Sequence, residues 1–269
     1  MNFRILAAAS SVAWALSACG AASEETTDTP AETATEADTS AAIAAAVAAP
    51  DRPADARELD ENRKPAETLA FLGLEPGMDA ADFFPGAGYW SEIMAHVVGA
   101  EGSVTALEAE EFLGGEKGEA HWADLSKRAP GVGIKLFPFA NFTAEPGSYD
   151  FLLTNLNYHD LYWESEKYRM TRIDPADVVK QLYTAMRPGG IIGVIDHVGG
   201  EGDTREVVDA THRINPKVVI ADFEKQGFEL VGQSDILANP DDDHSMSVFD
   251  DAIRGKTDRF LLKFRKPAE

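Results

Sequence analysis

A few short stretches hold the side chains that could do chemistry. Asp82 precedes the turn Pro85-Gly86-Ala87-Gly88, and Glu108 stands 20 residues beyond Gly88. Asn155, His159-Asp160, Asp196-His197 and His212 follow further on. A glycine turn gives positive φ at little steric cost and lets a ligand come close to the backbone. If a helix starts there, its free N–H groups and positive dipole end attract negative ligand groups. An acid about 20 residues on, at the tip of the next strand, can accept hydrogen bonds from both hydroxyls of a ribose. Together these features point to a ligand that carries a nucleoside. Histidine moves protons near neutral pH, and a neighbouring Asp can orient its ring.

The elements around these residues should bring them to one rim. Met78 to Phe84 is a short apolar run that suits a buried strand. Tyr89 to Val98 has apolar residues at helical spacing, and Val104 to Leu107 reads as the next strand, with Glu108 at its end. Gly133 to Phe139 and Tyr149 to Asn155 are two more strands, and the glycines 114, 115 and 118 mark a loop before a short helix from Trp122 to Ala129. Asp174 to Met186 is a helix, with Asp174 as N-cap and Pro175 at its first position. Arg187-Pro188-Gly189-Gly190 closes it, and Ile191 to Ile195 is a strand buried on both faces. A helix from Pro216 to Gln226 and strands at Phe228 to Ser234 and Phe260 to Arg265 complete the chain. Alternating strands and helices imply an α/β fold: a parallel sheet covered on both sides, with ligands at the carboxyl ends of the strands. Asp82, Glu108, Asn155 and Asp196-His197 all fall at such ends.

The chain has 269 residues, with 46 acids against 24 bases and a net charge of −22. That balance excludes binding along a nucleic-acid backbone, which needs clustered Lys and Arg. Only six acids and one base precede residue 51, so the rest is itself close to −17. Residues 1 to 19 read as an export signal: Arg4, an apolar stretch from Ile5 to Leu16, then Leu16-Ser17-Ala18-Cys19. Cys19 is the sole cysteine, so no disulfide can form within the chain. Residues 20 to 50 are expected to be a disordered acidic Ala/Thr-rich tether, without a base or an aromatic residue, in which the Ala41 to Ala49 run can form a transient helix. Residues 51 to 269 form the domain. Within it, Arg57, Arg63 and Lys64 are either a solvated face or the entrance to the site.

Several of these stretches together resemble a class I S-adenosylmethionine-dependent methyltransferase over residues 51 to 269. Within that class the chain is similar to a family of bacterial predicted methyltransferases of unassigned substrate. The resemblance is carried by Arg63-Lys64-Pro65-Ala66-Glu67, Asp82 through Gly86-Ala87-Gly88-Tyr89-Trp90, Tyr158-His159-Asp160, Arg187-Pro188-Gly189-Gly190, Asp196-His197, His212-Arg213-Ile214-Asn215-Pro216, Phe249-Asp250, and Ile253-Arg254-Gly255-Lys256-Thr257-Asp258-Arg259. It implies a Rossmann-like fold with a mostly parallel seven-stranded sheet and helices on both faces. It also implies S-adenosylmethionine as cofactor and methyl transfer; the acidic surface and the mixed aromatic and His residues favour a small or cationic molecule as acceptor. By the class pattern, Asp82 and Asn155 face the methionine amine, Gly86, Gly88 and Tyr89 line the methionine part, and Glu108 takes the ribose hydroxyls. Phe84 stands where the class has its first glycine. Leu16-Ser17-Ala18-Cys19-Gly20 resembles a bacterial lipobox, which implies a lipid anchor on Cys19 and a place in the cell envelope, on the periplasmic side and by preference at the outer membrane.

For the acceptor, the pocket residues are expected to be His159, His197 and Asp160 as the proton-handling group. Tyr158, Trp163, Asp196, His212 and Arg213 should contact the substrate. Each histidine can instead be a hydrogen-bonded structural residue, and each aromatic a core residue. No tight ligand spacing such as His-x-x-x-His occurs, so no metal is assigned. Two other functions stay open. An exported protein could use the same cleft to bind a small ligand without methyl transfer, or the histidines could serve a metal-assisted hydrolase.

Overall fold

The computed structural model describes residues 32–268, so the signal segment and the first part of the tether lie outside the described residues. The first helix, α1 (Glu32–Val47), occupies most of what composition suggests is a disordered tether. Ile43 and Ala46, three residues apart on one helix face, are buried, and they join the core formed by α5. Alanine has the highest helix propensity, and a single apolar stripe suffices to dock such a helix. The expectation of disorder is therefore corrected for the part of the tether that the structure describes. Short helices α2 (Ala54–Glu58), α3 (Asp60–Arg63) and α4 (Pro65–Leu72) follow.

The central sheet has seven strands, ordered β3-β2-β1-β4-β5-β7-β6. They are β1 (Asp79–Phe83), β2 (Ser103–Ala109), β3 (Val132–Phe137), β4 (Tyr149–Asn155), β5 (Met186–His197), β6 (Glu229–Ser234) and β7 (Arg259–Arg265). Strands β1 to β5 run parallel, and β7 is antiparallel to both of its neighbours. The helices are α5 (Tyr89–Val98), α6 (Glu116–Arg128), α7 (Pro175–Ala185), α8 (Thr204–Thr211) and α9 (Pro216–Lys225). One core packs Leu69, Leu72, Ile93, Met94 and Leu125 of α4, α5 and α6 on one face of the sheet. The other packs Val179, Leu182, Val208 and Phe223 of α7, α8 and α9 on the opposite face.

The architecture is thus the Rossmann-like one expected. Its differences from the sequence reading are local. Pro188-Gly189-Gly190 lies inside β5 rather than ending a helix: it is an irregular stretch between the pairings Tyr149–Met186 and Phe151–Ile191, with Gly189 at φ +82°. Helix α6 begins at Glu116 and contains Gly118, so the expected loop is shorter. Strand β2 runs two residues beyond Leu107, and Glu108 is its penultimate residue, paired in register with Leu136.

Candidate functional site

Chain order reverses between β1 and β4. The strand series runs outward from β1 to β3, then resumes at β4 on the other side of β1. Loops leaving two such strands diverge, which opens a crevice at their carboxyl ends. A cavity of about 290 Å³ sits there, lined by Asp82, Phe84, Pro85, Gly86 and Ala87 after β1 and by Asn155, Leu156 and Asn157 after β4. Leu59, Arg63, Tyr89 and Trp90 close its remaining walls.

The glycine turn builds the floor. Gly86 has φ +57°, and a Cβ added there would meet no atom within 4 Å, so its backbone faces open space. Gly88 has another task. It caps α5 at φ +72°, and a Cβ would lie 2.4 Å from Leu125 and 3.0 Å from Trp122. It lets α6 pack on the turn and does not line the cavity. Two residues that are not glycine also hold positive φ at this rim, Phe84 at 55° and Leu156 at 63°. Strain of this kind costs on the order of 1 kcal/mol per residue and clusters at functional sites.

Asp82 is fully buried and accepts a hydrogen bond from Ser91 Oγ at 2.6 Å. Burial pushes its carboxyl up to about 6, and the Arg63 guanidinium opposes that shift. Glu108 turns toward the glycine bend. Its carboxylate accepts from Gly86 N at 3.1 Å and Ala109 N at 3.0 Å. Burial raises it to about 7, against the pull of those two amides. The Phe84 ring packs with Phe83, Phe112, Phe137 and Phe139.

A second cavity of about 420 Å³ shares Leu156 with the first. Its polar groups are His159, Asp160, His197 and His212, and its aromatic walls are Phe112, Trp163, Tyr168 and Phe249. Asp196 organises it from behind. Wholly buried, Asp196 accepts from His159 N at 2.9 Å, His159 Nδ1 at 2.8 Å and His197 N at 2.8 Å. The Asp196 and Asp160 carboxylates overcome the desolvation of His159 and raise it to about 9. Asp160 Oδ1 stands 3.5 Å from His159 Nε2. Burial raises Asp160 to about 6 despite that imidazole. His197 goes the other way. Burial lowers it to about 3, and its Nδ1 meets Thr257 Oγ1 at 2.6 Å. His212 is half-buried at φ 53°, its ring 4.7 Å from Trp163 and 4.8 Å from Phe249.

Most of the residues singled out in the sequence therefore meet at the two cavities: Asp82, Gly86, Tyr89 and Asn155 at the first, His159, Asp160, His197, His212 and Trp163 at the second. Glu108 borders the first through Gly86. Four are placed elsewhere. Gly88 caps α5 against Leu125 and Trp122 of α6 and lines neither cavity. Tyr158 is core, and its hydroxyl donates to Asp222 of α9 at 2.8 Å. Arg213 is fully buried in a two-pronged pair with Asp242, at 2.8 and 3.1 Å, and donates to the Met246 carbonyl. Asp196 holds His159 rather than facing either cavity. Sequence reasoning did not single out Leu156 or Tyr168, and it named Trp90 and Phe249 only within stretches that carry the resemblance, with no place in the site. Loop geometry brings Leu156, Tyr168 and Phe249 to the walls, and the first turn of α5 brings Trp90. Among the described residues no group of three or more His, Cys, Asp or Glu is placed to hold a metal ion.

No family model matches this sequence, and no curated protein does. Solved structures do match. An S-adenosylmethionine-dependent methyltransferase from Aquifex aeolicus superposes with a TM-score of 0.55 at 17% identity, over 80% of this chain and 98% of that one. The [4+2]-cyclase SpnF gives 0.56 at 15% identity, over 86% and 94%. CrArsM, an arsenic(III) S-adenosylmethionine methyltransferase from Chlamydomonas reinhardtii, gives 0.51 at 19% identity, over 84% and 73%. Likeness at these identities is likeness of fold, and one of these proteins is named for a cyclisation. The chain has the Rossmann-like fold shared with class I S-adenosylmethionine-dependent methyltransferases.

Proposed function

We propose that this protein transfers a methyl group from S-adenosylmethionine to a small-molecule acceptor. The observation that carries this reading is the pair of adjoining cavities at the β1/β4 crevice. One is lined by a glycine turn and buried acid, the other by aromatic rings and a His–Asp pair.

The residues fit that cofactor. An open backbone at Gly86, the Asp82 carboxyl and the Asn155 amide suit an amino-acid end. Trp90, which lines the same cavity, has a buried indole N–H without a hydrogen-bond partner. Glu108 keeps unused lone pairs on both carboxylate oxygens beside the bend, where ribose hydroxyls can donate. When bound, the cofactor supplies an electrophilic methyl carbon on a sulfonium. The chain's contribution is alignment of donor and acceptor across two neighbouring cavities that share Leu156 as a lining residue. His159 is held as an imidazolium by Asp196, so at neutral pH it donates from Nε2 and orients an acceptor heteroatom. Asp160, ionised above about 6, takes the acceptor's proton. The rings of Trp163, Tyr168 and Phe249 fit a flat or methylated acceptor rather than a polymer.

The test is calorimetric binding of S-adenosylmethionine and S-adenosylhomocysteine to the full chain. Micromolar affinity that weakens at least about tenfold in Glu108→Ala supports the reading. Absence of binding at millimolar ligand removes it and leaves a cleft for some other ligand.

Export and lipidation at Cys19 are a separate proposal, supported by the apolar run before the sole cysteine. Among the described residues no helix is long and apolar enough to cross a membrane. A lipid anchor holding the chain at the periplasmic side of the envelope predicts that Cys19→Ser abolishes incorporation of labelled fatty acid.

A further inference from the structure

Arg63 is the cation of the first cavity. It ends α3, and Lys64 then reverses the chain at φ 43° before Pro65 starts α4. This bend, rather than a regular helix face, directs Arg63 toward β1 and the glycine turn. Its guanidinium lies 4.3 Å from the centroid of the Tyr89 ring. The opposite support is Asp60, which receives the Tyr89 hydroxyl at 2.6 Å and a two-pronged bond from Arg52 at 2.7 and 2.9 Å. Arg52 and Arg63 thus both approach one aromatic ring, and Arg52 alone has a carboxylate partner. Among the described residues, Arg63 makes no side-chain hydrogen bond and no ion pair. Every other arginine that is at least mostly buried has one or the other: Arg52 with Asp60, Arg213 with Asp242, Arg259 with the Asn62 and Thr257 carbonyls.

A guanidinium has five N–H donors in a planar fork that matches a carboxylate. In the cavity wall these donors have no protein acceptor, and the Tyr89 ring face is the support the guanidinium has. The charge of Asp82 lies close enough to act on Arg63, so the cavity presents a cation and an anion together. A ligand end complementary to that pair is itself a zwitterion, with a carboxylate for Arg63 and an ammonium for Asp82 and Asn155.

We propose that Arg63 is a ligand-binding residue, the anchor for the carboxylate of an α-amino-acid end, and that Tyr89 and Asp60 hold it in place. The assignment rests on the methyl-donor reading above and adds to it a determinant that selects for an intact amino acid. Arg63 does not touch the reacting carbon, so its effect is on ligand affinity and not on proton transfer.

The experiment is titration calorimetry on the full chain with S-adenosylmethionine and with its decarboxylated analogue, which lacks only the carboxylate. Wild type should bind the intact ligand about 30-fold more tightly. Arg63→Gln should lose that preference, binding both at the affinity wild type shows for the analogue, and Arg63→Lys should keep part of it. Unchanged affinity for the analogue in Arg63→Gln also reports an intact cavity. Equal affinity of wild type for both ligands, or full discrimination in Arg63→Gln, overturns the assignment and leaves the methyl-donor reading standing. No binding of either ligand by wild type overturns both together.

Discussion

At the residue scale, Asp196 decides the state of its surroundings. It is a buried anion whose three N–H donors come from His159 and His197 alone. Removing the charge and keeping the shape, as in Asp196→Asn, leaves His159 desolvated without its nearest counter-charge. The imidazole should then titrate well below about 9, which a histidine NMR titration reads directly. The stability cost should be about 3 kcal/mol by chemical denaturation. The sign of the pH dependence follows from linkage. A base whose folded value is raised above 6.5 contributes its full stability below that pH and loses it as pH rises through about 9. Wild type should therefore lose stability between neutrality and about pH 9, and Asp196→Asn should lose much less. Equal slopes in the two proteins would mean that His159 is not held as a cation. Glu108 gives a second titration. Burial keeps its carboxyl protonated below about 7, yet two ribose hydroxyls need an ionised acceptor. Adenosyl-ligand affinity should rise with pH to about 7 and then level off, and Glu108→Gln should remove that part of the rise. Asp82 titrates at about 6 in the same cavity, so the decisive quantity is the difference between the two proteins.

At the scale of elements, Phe84 shows two demands in conflict. The turn after β1 requires positive φ, which a glycine meets freely, but the position carries an aromatic ring packed among four others. In Phe84→Gly, relief of backbone strain returns about 1 kcal/mol, and loss of the buried ring costs about 3–5 kcal/mol. Packing wins, so the variant should be less stable by about 3 kcal/mol in urea. A stabilised variant would show that the turn, not the ring cluster, dominates there. Helix α1 gives a simpler case: Ile43→Asp should undock it and cost about 3 kcal/mol in a thermal or denaturant melt. These elements also show what the sequence could reveal. Helix α5 was legible to the residue, because its glycine turn and apolar spacing are local signals. The meeting of Asp82, Asn155, His159 and His197 was legible because strand ends in such a sheet share a rim. Three features were not. Helix α1 owes its order to contacts with α5, far off in sequence. Arg213 reads as a substrate contact until the fold buries it in a pair with Asp242. Arg63 could be a solvated face or an entrance, and only the αL bend at Lys64 decides its direction.

At the scale of the whole molecule, the excess of acids becomes a property of the site. The chain carries −22 overall, and both cavities contain buried or half-buried carboxyls, namely Asp82 and Asp160, with Glu108 beside the first. Such a field concentrates cations at the crevice and repels anions, and it weakens as the Debye length shrinks from about 30 Å at 0.01 M salt to about 3 Å at 1 M. Surface pairs such as Lys217–Glu201 and Arg265–Glu229 are worth at most about 1 kcal/mol each, so they do not set the balance. The proposed donor and product differ in this respect. S-adenosylmethionine has a sulfonium and a net positive charge, and S-adenosylhomocysteine, its demethylated form, is neutral overall. Raising salt from about 0.02 to 0.5 M should therefore weaken binding of the donor several-fold and leave the product nearly unchanged. Calorimetry at the two salt concentrations measures this. Parallel shifts for both ligands would mean that the field of the molecule does not reach the sulfonium. A selective shift would mean that the acidity of the molecule favours the charged donor over its neutral product.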